Sequence, residues 1–146
     1  MHTEHLQNVR AGLVAAGWLV ALAVTSLVVF IFEAGEFAAF GAVNALATVV
    51  AVAAGFAAGG FFTGFLARRA PILHGVGMGI TSIVAWVAVN AIAALTGRPF
   101  DSAGLTVTAA IGIVLVQMIA AVLGALVGYN VALRGKPGLG EDAGAA

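Results

Sequence analysis

The sequence predicts an all-α polytopic membrane protein of four transmembrane helices, with hints of two duplicated helical hairpins. Three observations carry that prediction. Of 146 residues, 62% are hydrophobic and 8% charged, whereas soluble domains run near 45–50% and about 25%. Four long segments, about 11–32, 37–66, 71–96 and 103–133, contain no charged residue. A bilayer core about 30 Å thick needs about 20 helical residues at about 1.5 Å each, and every segment reaches that length. None shows the apolar–polar alternation of a membrane β-barrel strand.

The first segment follows "MHTEHLQNVR", which carries one basic residue. Its 22 uncharged residues (11–32) exceed a typical cleavable signal core, and "EAGEF" follows in place of a cleavage site. It reads as a retained first span. The second segment is the longest before the "ARRAP" junction, and its spare length allows tilt or emergence into headgroups. The third begins at Pro71, because proline at a first helical position forfeits no hydrogen bond. The fourth ends at Arg134. The domain is thus 1–134, and the Gly-rich polar tail 135–146 is expected to be disordered.

Basic residues set the orientation. Arg10, Arg68, Arg69, Arg134 and Lys136 fall on one side and Arg98 alone on the other. The positive-inside tendency then places both termini and the middle junction in the cytoplasm. A multi-pass membrane protein in that orientation is expected. Zero net charge offers no basic field for nucleic acid. The absence of cysteine excludes disulfides, thiolate metal sites and thiol nucleophiles.

Duplication is hinted at by "GWLVALAV" (17–24) against "AWVAVNAI" (85–92), which aligns Trp18 with Trp86. The second and fourth segments also end alike, in "GFLARRAP" and "GYNVALRGKP".

Lipid removes the hydrophobic drive between helices, leaving close packing and buried polar contacts. Small residues recur at steps of four: Ala51, Gly55, Gly59 and Thr63, with Gly60 and Gly64 one residue round; Gly75 and Gly79; and Ala120, Gly124 and Gly128. Such spacing lines one helix face and lets backbones approach. The intramembrane carboxamides Asn44, Asn90 and Gln117 predict interhelical hydrogen bonds, or else the lining of a polar path. Thr25, Ser26, Thr48, Thr81 and Ser82 are expected to bond to their own helix backbones.

No charge lies deep in a span, which argues against ion pumping and proton coupling. No intramembrane aspartate pair, His-Glu-x-x-His, Gly-x-Ser-x-Gly or phosphate-binding glycine loop occurs. No catalytic, cofactor or metal residue is assigned, and no cofactor is expected. An enzyme would need an unrecognised site among Glu33, Glu36 and His74. At the junction, Arg68 and Arg69 are read as headgroup anchors. His74, in the first turn of the third helix, is read as a neutral imidazole able to hydrogen-bond a neighbouring loop.

The stretch "GGFFTGFLARRAPILHGVGMG" (59–79) resembles the junction between helices two and three in a family of uncharacterised small four-helix prokaryotic membrane proteins. The match comprises Gly59, Gly60, Gly64, Arg68, Arg69, Leu73, His74, Gly75 and Gly79. It implies fold and location rather than chemistry. The function expected is non-enzymatic: a structural or accessory subunit whose partners are the lipid bilayer and other membrane subunits or copies of itself. The alternative is a channel or carrier for a small neutral solute, acting as a homo-oligomer with Asn44, Asn90 and Gln117 converging on one cavity.

Overall fold

The structure, a computed structural model, describes residues 9–34, 41–67, 70–97 and 107–134; the side chains of 41–45 and 107 fall outside that description. It is all-helical: α1 (Ala11–Ala34), α2 (Gly41–Ala67), α3 (Pro71–Leu95) and α4 (Val107–Arg134). No strand occurs among the described residues. All four helices are long and apolar enough to cross a membrane. Glu36, Arg68, Arg69, Arg98, Asp101 and the tail 135–146 lie outside the described residues.

The helix ends follow local chemistry. Pro71 stands in the first turn of α3, and the preceding Ala70 adopts a left-handed conformation (φ 45°, ψ 53°). At the other end Gly97 takes φ 67°, the left-handed conformation that only glycine adopts without cost. The Thr96 and Gly97 N–H groups close the last turn on Ile92 and Ala94.

The order around the bundle is α1, α2, α4, α3: α2 packs on α1 and α4, and α3 on α4 and α1. Contacts fix the directions. Gly17 meets Gly59 and Gly55 meets Ala21, so α1 and α2 are antiparallel. Gly75 meets Val122 and Gly79 meets Met118, so α3 and α4 are antiparallel too. Gly60 meets Ala121 and Gly64 meets Ala125, which makes α2 and α4 parallel.

Close approach explains the glycines. A Cβ on Gly60 would stand 2.8 Å from the Ala121 carbonyl carbon, and one on Gly64 2.6 Å from that of Ala125. The obstacle is backbone, which no rotamer change can move aside. The seam is reciprocal, because Gly124 meets Ala57 and Gly128 meets Phe61. Adding 64 to Gly60, Gly64, Ala57 and Phe61 gives Gly124, Gly128, Ala121 and Ala125, so the two helices exchange equivalent contacts. Gly55 and Gly59 face α1 while Gly60 and Gly64 face α4; the one-residue offset turns the second pair to another neighbour.

The core occupies one half of the bundle. Val14, Ala21, Val52, Phe56, Met78 and Ala121 form it. Among described side chains, the last buried residue of α1 is Ala21 and that of α3 is Gly79. The first is Ala51 in α2 and Ala121 in α4. From Ile80 to Leu95 no residue of α3 is buried. The half where α1 and α3 begin is therefore tightly closed, and the opposite half presents apolar side chains outward.

Candidate functional site at the start of helices one and three

His74 is fully buried (0% exposed). It lies one turn into α3, where the left-handed Ala70 directs its carbonyl back over the first turn. That carbonyl accepts the His74 backbone N–H at 3.2 Å and lies 2.9 Å from His74 Nδ1. A carbonyl oxygen can only accept, so Nδ1 carries the proton. The other ring nitrogen, Nε2, faces the backbone N–H of Arg10 at 3.3 Å and must accept. The ring thus holds a single proton and is neutral, with both nitrogens partnered. The partner is the residue just before α1, whose carbonyl takes the first bonds of that helix from Leu13 and Val14. One imidazole joins the starting points of α1 and α3.

Eight residues along, Trp18 Nε1 donates to Ser82 Oγ at 3.0 Å, and Ser82 in turn donates to the Met78 carbonyl at 3.2 Å. Both α1–α3 links span 64 residues of sequence, so α1 and α3 are parallel and matched in height. Between them lie Met78, fully buried, and Thr63 of α2, also fully buried, whose hydroxyl donates to Gly60 O at 2.8 Å.

Neither Asn90 nor Gln117 joins two helices among the described residues. Asn90 donates to the Trp86 carbonyl of its own helix at 2.8 Å. Gln117 Oε1 is buried with no partner. The Asn44 side chain lies outside the description. Asn90 and Gln117 also stand at different depths: the pairing of Gly75 with Val122 and Gly79 with Met118 sets Asn90 level with residue 107. Gln117 is ten residues further along α4, about 15 Å at 1.5 Å per residue. Thr81 bonds to Gly77 O at 2.9 Å within its helix, whereas Thr25 Oγ1 lies against Gly55 and makes no hydrogen bond.

Glu33, exposed near the end of α1, is 23 residues from Arg10 and so about 35 Å from His74 along the axis; these two cannot share a site. No cluster of three or more metal-ligating side chains occurs among the described residues. The matched tryptophans sit in different surroundings, with Trp18 partly buried and bonded and Trp86 57% exposed.

Sequence reasoning anticipated a neutral His74 bonded to a neighbouring loop but not that its partner is Arg10, and it gave no sign of the Trp18–Ser82 link. A backbone N–H donor carries no sequence signature, and a pair across parallel helices depends on their relative height. Comparison with protein-family models finds no match, and neither the curated proteins nor the solved structures yield one.

Proposed function

We propose that this chain is a non-enzymatic integral membrane protein, a structural or accessory subunit of a larger membrane assembly. Its place is a prokaryotic cytoplasmic membrane, with both termini and the α2–α3 junction inside. The observation that carries the reading is the division of labour along the bundle. The buried polar side chains at the closed end among the described residues, His74 and Thr63, both have hydrogen-bond partners within the chain. The opposite half presents an apolar circumference, with Leu95 of α3 87% exposed, suited to neighbouring helices or lipid. The basic residues around the closed end and the resemblance of residues 59–79 to small prokaryotic four-helix proteins support the location.

A channel or carrier for a small neutral solute is not favoured. It asks the carboxamides to converge, and Asn90 and Gln117 stand about 15 Å apart in depth.

The test is purification from native membranes in mild detergent, with chemical cross-linking before extraction. The reading expects a defined complex larger than one chain. A strictly monomeric species with no cross-linked partner would overturn it.

A further inference from the structure

The outer half of α3 carries polar groups for which the described residues provide no full set of partners. Ile83, Trp86, Val87, Asn90 and Ala94 follow at steps of three and four and share one face. Ile83 is 42%, Trp86 57% and Val87 53% exposed. The midpoint of α3 (Pro71–Leu95) is residue 83, so Trp86 lies about 4.5 Å and Asn90 about 10 Å beyond it. Both fall within a hydrocarbon half-thickness of about 15 Å. The Trp86 indole N–H has no acceptor among the described residues. Asn90 commits one N–H to the Trp86 carbonyl, which leaves one N–H donor and its carbonyl oxygen. Acyl chains offer neither a donor nor an acceptor at that depth, and unsatisfied polar groups there are costly.

We propose that α3 pairs with α3 of a second copy, with the two Asn90 carboxamides hydrogen-bonded to each other at the centre of the contact. One free N–H and one free oxygen on a single group are self-complementary. Each amide gives its N–H to the other's oxygen, and both groups are then fully used. A symmetry axis along the membrane normal places the two asparagines at the same depth without further adjustment, which no unrelated partner guarantees. Trp86 and Val87 flank the pair and cover it from lipid. Ala93 and Ala94, three and four residues beyond Asn90 on the same face, allow the helices to approach. The inference rests on the membrane reading and adds to it the identity of one partner.

The chain has no cysteine, so single cysteines can report the contact directly. Val87→Cys and Ala94→Cys are cross-linked in liposomes with a short bifunctional reagent, beside Leu19→Cys on α1 and Leu123→Cys on α4. The dimer constant is measured by dilution in lipid. Dimers are expected from the α3 positions and not from the others. Asn90→Leu, which keeps an apolar helix compatible with lipid, is expected to weaken dimerisation about tenfold. Asn90→Gln is expected to restore part of it. Cross-linking at Leu19 or Leu123 in preference to α3, or an Asn90→Leu dimer as tight as the parent, overturns the inference. So does a monomer at every dilution, with Asn90 then satisfied by headgroup water. A chain that fails to reconstitute into liposomes at all overturns the membrane reading instead.

Discussion

The imidazole of His74 receives the backbone N–H of Arg10 on Nε2 at 3.3 Å while its Nδ1–H is held by the Ala70 carbonyl at 2.9 Å. A single side chain therefore fixes the heights of α1 and α3. The neutral Nδ1–H tautomer is the only form that serves both bonds. Nitrogen NMR of the labelled ring is expected to show a protonated Nδ1 and an unprotonated Nε2. His74→Ala removes the acceptor of the part-buried Arg10 N–H and opens a cavity at a fully buried position, a loss of about 2–4 kcal/mol in unfolding free energy. His74→Lys, which buries a permanent cation between two helix N-termini, is expected to cost more than alanine. Equal losses would contradict the neutral-ring assignment.

The Trp18–Ser82 bond should be measurable as a coupling. Trp18→Phe and Ser82→Ala each remove it, and a double-mutant cycle in detergent is expected to return about 1 kcal/mol. Additive effects would show that Ser82 serves only the Met78 carbonyl.

Glycines divide into two groups with opposite expectations. Gly64→Ala drives a methyl into the Ala125 backbone and is expected to cost about 1–3 kcal/mol by forcing α2 from α4. Gly112→Ala meets nothing within 4 Å and is expected to lie between neutral and a gain of about 1 kcal/mol. Thermal unfolding of both variants in one detergent gives the comparison.

Ala70 holds a left-handed backbone (φ 45°) immediately before a proline. Ala70→Gly is expected to be tolerated, since glycine adopts that conformation freely. Ala70→Val, β-branched at positive φ, is expected to cost about 2 kcal/mol and to loosen the His74 contact. A valine variant as stable as the parent would show that the junction can re-form with another backbone.

Much of this architecture was legible from the length and apolarity of four uncharged segments. Uncharged segments of sufficient length have little choice but helix, and Pro71 marks the start of α3. What the sequence could not convey was relative placement. The same step-of-four pattern reads identically whether Gly55 faces α1 or Gly60 faces α4; only the packing separates them. Asn90 looked like a bridge to another helix and instead turns back on Trp86, in a stretch of α3 where no residue is buried. Ser82, expected to serve only its own helix, also receives Trp18, because a hydroxyl can donate to its backbone and still accept. The His74 link depends on a main-chain N–H at position 10, which no residue type advertises.

The central claim is a four-span bundle whose closed end carries both termini and the α2–α3 junction. Single cysteines introduced one at a time into the cysteine-free chain, near each terminus, at 68–69, at 35–40 and at 98–106, can be labelled with a membrane-impermeant maleimide in cells and in inverted vesicles. The account predicts labelling of the termini and 68–69 only in inverted vesicles, and of 35–40 and 98–106 only in intact cells. Termini labelled from opposite sides, or a chain released from membranes by alkaline carbonate, would contradict it.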